Sequence, residues 1–126
     1  MSAYHPDVWV PILIDSRMHG KVYKVLAGWY GGFTGSNSWK LSSGVESLSV
    51  EDHGVSGKLY IMPQASGSVY VCHENNERLS MLTSDILSAC QQQADESGDE
   101  FTIAQVEMSV LFAAFPPAPI ASITHE

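Results

Sequence analysis

Residues 58–72, KLYIMPQASGSVYVC, decide the fold class that this sequence predicts. Two runs rich in β-branched and aromatic residues, 58–62 and 68–72, have the composition of strands. Pro63 ends the first run, and QASG at 64–67 has the composition of a turn. A strand, a short turn and a second strand together predict a β-hairpin.

The period of the apolar residues changes immediately after this hairpin. Side chains spaced by three and four residues follow: Leu79, Leu82, Ile86, Leu87 and Cys90. This spacing predicts a helix at about residues 80–96. A hydroxyl of Ser80 or Thr83 can cap its first turn, and Gly98 is a suitable stop.

The part of the chain before the hairpin also has strand composition. Residues 8–14, VWVPILI, form a continuous apolar run that contains Pro11. Because proline lacks an N–H donor, this run suits an edge strand or the start of a strand better than a central strand. Residues 21–27 predict a further strand. In residues 39–50 the apolar alternation slips at Gly44, which favours either two short strands or one strand with a bulge.

The C-terminal part leaves one assignment open. Residues 105–112, QVEMSVLF, alternate apolar and polar side chains, which favours a last strand. The alternative is a helix capped by Thr102 with Gln105 at its third position. Three prolines in the four positions after Phe115 exclude a helix there and predict an extended tail that can dock on a groove of this or another chain.

These elements predict an α+β fold, a twisted antiparallel sheet of five to six strands packed against one helix. A chain of 126 residues has the length of one domain and can bury a core. We therefore expect a single domain at 1–112 and an extended proline-rich tail at 113–126.

The charge of the chain is unevenly distributed. The total is −8, but residues 1–45 hold four basic and two acidic residues, whereas residues 46–126 hold two basic and twelve acidic ones. This balance disfavours direct nucleic-acid binding and favours a partner protein with a basic surface. Solubility alone is the alternative explanation. The acidic candidates for the contact are Glu51, Asp52, Asp95, Glu96, Asp99 and Glu100.

The stretch GWYGGFTGSNSW at residues 28–39 is a second candidate contact surface. It holds four aromatic and four glycine residues. We expect Trp29 and Trp39 to anchor in the core, since tryptophan buries much apolar area, and Tyr30 and Phe33 to contact a protein partner. Stacking on a carbohydrate or another small ligand is the alternative.

No catalytic, metal-binding or cofactor motif is present in the sequence. The five histidines are far apart, and the spacings typical of zinc ligands, nucleophile elbows and phosphate-binding loops are missing. Cys72 and His73 are adjacent on a strand, so their side chains are expected to face opposite sides, with Cys72 inward. We expect no enzyme and no cofactor, with a small hydrolase or transferase using Cys72 or His73 as an alternative.

Targeting signals are also missing. No apolar run reaches the roughly 20 residues that span a bilayer, and residues 8–14 lack the flanks of a signal peptide. Two cysteines do not form a disulfide framework. These features predict a cytoplasmic protein without membrane contact.

Residues 27–45, AGWYGGFTGSNSWKLSSGV, and residues 66–80, SGSVYVCHENNERLS, resemble uncharacterised small proteins of phages and prophages of proteobacteria. The resemblance covers about residues 27–80 and implies no site residues. It implies a genomic setting in which small acidic proteins often inhibit host defence systems such as CRISPR effectors. The expectation is thus a non-enzymatic inhibitor in the host cytoplasm. The alternatives are an immunity protein against a basic toxin nuclease and a virion or dimer-forming protein whose tail crosses to a neighbouring subunit.

Overall fold

Strands make up most of the regular structure in residues 2–98 and 100–117, the part of the chain that the computed structural model describes. The strands are β1 (Ala3–Tyr4), β2 (Val8–Ser16), β3 (Gly20–Trp29), β4 (Ser38–Leu41), β5 (Ser49–Asp52), β6 (Lys58–Pro63), β7 (Val69–His73) and β8 (Phe101–Gln105). The helices are α1 (Met81–Glu96) and α2 (Met108–Ala114). Short 3₁₀ turns lie at Gly32–Thr34, Gly54–Ser56 and Glu74–Asn76.

The described strands form two four-stranded sheets. The first sheet has the order β4-β3-β2-β8, and the second has the order β1-β7-β6-β5. All neighbouring strands are antiparallel except β1 and β7, which pair in parallel. The predicted α+β class is confirmed, although its strands divide between two sheets instead of forming one.

The first sheet is buried on both faces at its centre. Trp9 and Ala27 belong to the core shared with the second sheet and α2, whereas Val10 and Leu26 belong to the core shared with α1. Because neighbouring residues of a strand face opposite sides, a strand covered on both faces needs an uninterrupted apolar run. This requirement explains the run at residues 8–14.

Pro11 lies in a central strand, so the prediction of an edge strand or a strand start is wrong. The strand β2 pairs with β3 over its whole length, and with β8 from Ile12 onward. The Pro11 carbonyl accepts a hydrogen bond from the Val106 N–H at 3.0 Å. Because the nitrogen and carbonyl of a strand residue point the same way, the nitrogen of Pro11, which has no N–H, also faces Val106, just beyond the end of β8. Proline is tolerated there because the ladder with β8 has already ended.

The hairpin and the first helix are confirmed. Strands β6 and β7 pair along their length, from Leu59 opposite His73 to Pro63 opposite Val69. At the start of α1, the Thr83 N–H donates to the Ser80 hydroxyl at 3.1 Å, and the Ser80 N–H donates to the Thr83 hydroxyl at 2.8 Å. These reciprocal bonds form a capping box.

The slip in the pattern at residues 39–50 marks the passage of the chain from the first sheet to the second. Strand β4 belongs to the first sheet and β5 to the second. Between them, the buried Gln64 side chain accepts a hydrogen bond from the Gly44 N–H at 3.1 Å and donates one to the Met62 carbonyl at 2.9 Å. The alternative of two short strands is therefore the correct one.

The prediction of a strand at 105–112 is wrong. The strand ends at Gln105, and α2 occupies Met108–Ala114. The alternative helix capped by Thr102 is also wrong, since Thr102 lies within β8. Met108 and Leu111, three residues apart, are both buried in the core, and this spacing fits one helical face.

The predicted boundary between domain and tail also moves. Residues 113 and 114 belong to α2, and the Phe115 ring packs edge-on against Tyr23 with 5.6 Å between the centroids. The start of the predicted tail thus docks on its own domain. Residues 118–126 of the predicted tail lie outside the described residues.

Candidate functional site

The loop between β3 and β4 is fastened at both ends. The Tyr30 N–H donates to the Asp7 carboxylate at 2.8 Å, and the Gly31 N–H donates to the Asn37 side-chain oxygen at 3.1 Å. A Cβ atom on Gly31 would lie 2.3 Å from the Ser36 carbonyl oxygen, so a side chain at Gly31 is incompatible with this closed loop.

This loop displays aromatic side chains to solvent. Phe33 is fully exposed at 101%, Tyr30 is 50% exposed and Trp39 is 41% exposed. We call these three residues the aromatic loop surface. The exposure of Tyr30 and Phe33 agrees with the prediction, whereas their contact with a partner stays a prediction.

The two tryptophans of the loop differ in burial. Trp29 is half-buried, packs edge-on against Tyr4, and donates its indole N–H to the His5 carbonyl at 3.1 Å. Trp29 is therefore an anchor, as predicted. The prediction that Trp39 is buried is wrong. Trp39 lies on β4, opposite Gly28 of β3, and β4 is an outer strand of the first sheet. No described strand lies beyond it to cover the indole.

A groove of about 420 Å³ adjoins the aromatic loop surface. It is lined by Tyr4, Trp29, Ser38, Trp39 and Lys40. The Lys40 ammonium lies 5.5 Å from the centroid of the Tyr4 ring, within the range of a cation–π interaction. The sequence does not point to Tyr4, since β1 has only two residues and is placed by pairing with the distant β7.

The acidic candidates divide into separate groups. Glu51 and Asp52 end β5 at an edge of the second sheet, where the Asp52 carboxylate accepts from the Gly54 N–H at 2.9 Å. Asp95 and Glu96 lie in the last turn of α1, which packs on the first sheet, and the exposed Glu100 precedes β8. Asp99 lies outside the described residues. The structure therefore does not bring these carboxylates into one cluster.

No described lysine or arginine forms an ion pair with these carboxylates. Among residues 2–98 and 100–117, the one ion pair is His53 with Glu51 at 3.1 Å, which is charged only when His53 is protonated. The last turn of α1 also lacks a basic residue, although a helix C-terminus disfavours anions such as Asp95 and Glu96. Apart from Glu51 beside a protonated His53, these acidic candidates are thus unpaired within the described chain.

Cys72 and His73 have structural environments. Cys72 is fully buried, and burial raises the pKa of its thiol far above the ordinary value, with a further contribution from Glu77. The ring of His73 accepts from the Asn75 N–H at 3.1 Å through Nδ1, so the proton on Nε2 is donated to the Ser56 carbonyl at 2.8 Å. Both ring nitrogens are occupied. Cys90 packs in the core on the other side of the first sheet, so Cys72 has no thiol neighbour there.

A group of acids that the sequence does not single out lies around Tyr60. Partial burial raises the pKa of the Glu77 carboxyl, and the Glu107 carboxylate raises it further. Burial also raises the pKa of Tyr60, with contributions from Glu74 and Glu77. Within the described residues no three His, Cys, Asp or Glu side chains are grouped as metal ligands.

Comparisons of the chain with protein-family models, with curated proteins and with solved structures find no match. Neither helix of the described residues is long and apolar enough to cross a membrane.

Proposed function

We propose that this protein is a non-enzymatic protein-binding module, and specifically a phage-encoded inhibitor of a host defence complex such as a CRISPR effector. The observation that carries the protein-binding function is the full exposure of Phe33 at the tip of a fastened loop. A large apolar side chain in this position is typical of an anchor for a partner pocket.

The rigidity of the loop supports this function. Hydrogen bonds at Tyr30 and Gly31, together with the tight approach of Gly31 to Ser36, hold the loop in one shape before binding. A preorganised loop loses little conformational entropy when a partner binds, so more of the contact energy contributes to affinity.

The unpaired acids support a partner with a basic surface. Such a surface would include one that normally holds nucleic acid, because its lysines and arginines would meet the carboxylates that this chain leaves unpaired. The phage setting and the inhibitory role are supported by the sequence resemblance and by the net charge of −8.

The environments of Cys72 and His73 favour a binding role over an enzymatic one. A buried thiol with a raised pKa supplies little thiolate, and a histidine with both nitrogens in structural hydrogen bonds lacks a free position for proton transfer.

Site-specific photocrosslinking tests the proposal. The photoreactive residue p-benzoylphenylalanine replaces Phe33 in one variant, and in a matched control it replaces Val55, which is 105% exposed on a 3₁₀ turn of the second sheet. Both variants are illuminated in a proteobacterial lysate at low salt. We expect a stoichiometric adduct with one host protein from position 33 only, identified by mass spectrometry.

A second variant ties the adduct to the side chain. Phe33→Ser should weaken the isolated complex by more than about tenfold, as expected for a hot-spot residue, whereas Val55→Ser should leave it unchanged. Equal adducts from both positions, or none from either, would contradict the proposal. An adduct with a basic toxin nuclease would instead identify an immunity protein.

A further inference from the structure

Three of the four outer strands in the described sheets are protected against pairing with another chain. Strand β1 has only two residues, and β5 ends in the carboxylates of Glu51 and Asp52. Strand β8 is covered by α1, whose Gln91 side chain donates to the Ile103 carbonyl at 3.4 Å. Short length, charge and coverage are the usual means of blocking a sheet edge.

Strand β4 has four residues, is not crossed by a described helix at its outer side, and carries one charged side chain, Lys40, which lies over the Tyr4 ring. Val25 donates its N–H to the Ser42 hydroxyl at 2.8 Å and accepts from the Ser42 N–H at 2.9 Å, which shows that these two residues point toward each other. Since bonding directions alternate along an antiparallel pair, Lys40 points toward β3, whereas Trp39 and Leu41 point outward. Among the described residues, β4 pairs with β3 alone, and no loop or turn bond reaches the backbone N–H or carbonyl groups of Trp39 and Leu41.

The side chains beside this edge are suited to contact. Trp39 is itself 41% exposed, and the groove lined by Tyr4, Trp29 and Lys40 adjoins β4. An incoming strand would therefore find two outward N–H donors, two outward carbonyl acceptors and an aromatic surface together. Backbone bonds of this kind give affinity, and the flanking side chains give specificity.

We propose that the outer edge of β4 accepts an extended segment of the partner protein as a fifth strand of the first sheet. This inference rests on the protein-binding function proposed above and names the mode of binding. The occupant is a strand of another protein and not a second copy of this chain, because two copies would bring together net charges of −8 each. Opposite Lys40, the segment carries an acidic residue between β-branched or aromatic ones.

A displayed library of random nine-residue peptides provides the probe, and the strongest binder of the immobilised whole chain is synthesised. Amide hydrogen exchange is measured by NMR with and without this peptide. We expect rapid exchange of the Trp39 and Leu41 amides in the free chain and at least about tenfold slowing in the complex. The Lys40 amide, which already bonds to β3, should change little.

Two matched comparisons separate strand addition from side-chain binding. The peptide is N-methylated at every second residue in two phases, at the odd-numbered or at the even-numbered residues. Only one of these phases should lose about tenfold in affinity, since alternate N–H groups of the peptide face the edge of β4. Trp39→Ala and Trp39→Pro both remove the indole, but only the proline also removes the outward N–H donor. The proline variant should therefore bind the peptide about tenfold more weakly than the alanine variant.

Several outcomes would overturn the inference. These are a library without a binder, a binder that leaves the Trp39 and Leu41 amides unprotected, equal effects of both methylation phases, or protection of these amides already in the free chain. The result is independent of the host target: a crosslinked partner that does not protect β4 would sustain the protein-binding function and reject strand addition.

Discussion

Glu77 is a surface carboxylate whose ionisation works against the folded state. Its pKa is raised by partial burial and by the Glu107 carboxylate, so the native protein keeps this proton at pH values where the unfolded chain has lost it. The free energy of unfolding therefore falls as the pH rises from the ordinary glutamate pKa to the raised native one, and the loss is complete above that window.

Replacing this carboxylate should stabilise the protein at neutral pH. We expect Glu77→Gln to raise the free energy of unfolding at pH 7 by up to about 0.5 kcal/mol, the usual range for a surface substitution, and to have no effect at pH 3, where both states are protonated. Urea unfolding at the two pH values measures the difference. Glu46→Gln is an exposed control, and a gain at pH 3 as large as that at pH 7 would show that charge is not the cause.

Gly31 determines the shape of the aromatic loop surface without contributing to it. In Gly31→Ala, the new Cβ would collide with the Ser36 carbonyl 2.3 Å away, so the loop must open and the bond to Asn37 is lost. We expect photocrosslinking at position 33 to fall by more than about tenfold while the domain stays folded.

The control for this substitution is Gly20→Ala at the first residue of β3, directly after the turn from β2. Gly20 has φ of +71° and open space around it, so alanine there adds only backbone strain of about 1–2 kcal/mol. Crosslinking should persist in this variant. If Gly31→Ala and Gly20→Ala crosslink to the same extent, preorganisation of the loop does not matter for binding.

At the scale of elements, α1 approaches β3 closely at one point. A Cβ atom on Gly28 would lie 2.9 Å from the Thr83 methyl and 3.0 Å from a Val8 methyl, both of which belong to buried, β-branched side chains. We expect Gly28→Ala to push the start of α1 away from the sheet and to lower the free energy of unfolding by about 1–3 kcal/mol.

A second substitution tests this steric cause. Thr83→Ser deletes the methyl but keeps the hydroxyl that bonds to Ser80 in the capping box. The double variant Gly28→Ala/Thr83→Ser should recover at least half of the loss, as measured by denaturant unfolding of all four proteins in the cycle. Strict additivity would mean that the two side chains do not meet.

The same scale shows which elements can be predicted from the sequence. The hairpin and α1 have local signals, namely Pro63 with its turn and the apolar spacing that begins at Leu79. The region after Gln105 has no such unambiguous local signal, because apolar residues alternate over residues 106–112 while Met108 and Leu111 also have helical spacing. Packing of these two side chains in the core decides for the helix, and that contact is not local.

Burial of the candidate site residues was predictable only where it depends on neighbours along the chain. The exposure of Phe33 follows from a loop rich in glycine. The burial of Trp39 depends on whether another strand lies outside β4, and the role of Tyr4 depends on β1 pairing with β7. Such features arise from the arrangement of sheets, on which the residues of 28–39 carry no information.

At the scale of the whole molecule, two acidic groups lie at similar distances from the region of the aromatic loop surface. The β4 end of the first sheet is close to the start of α1, where Gly28 meets Thr83. Asp95 and Glu96 follow Thr83 on this helix by 12 and 13 residues, roughly 18–20 Å. Tyr4 of the groove lies on β1. From there, Glu51 and Asp52 on β5 are three strand spacings across the second sheet and three to four residues along it, also roughly 18–20 Å.

A partner seated on the aromatic loop surface should therefore sense Glu51 and Asp52 about as strongly as Asp95 and Glu96. The double variants Glu51→Gln/Asp52→Asn and Asp95→Asn/Glu96→Gln each remove two negative charges, so both change the net charge from −8 to −6. Association with the protein crosslinked at position 33 is followed by stopped flow between about 0.02 and 0.5 M salt. We expect both variants to associate about threefold more slowly than the unchanged protein at low salt and at the same rate as that protein at about 0.5 M salt, since salt screens charges at this distance. A loss of about tenfold in one variant alone would place the basic surface of the partner over that pair of carboxylates, and no loss in either would mean that these carboxylates do not steer the encounter.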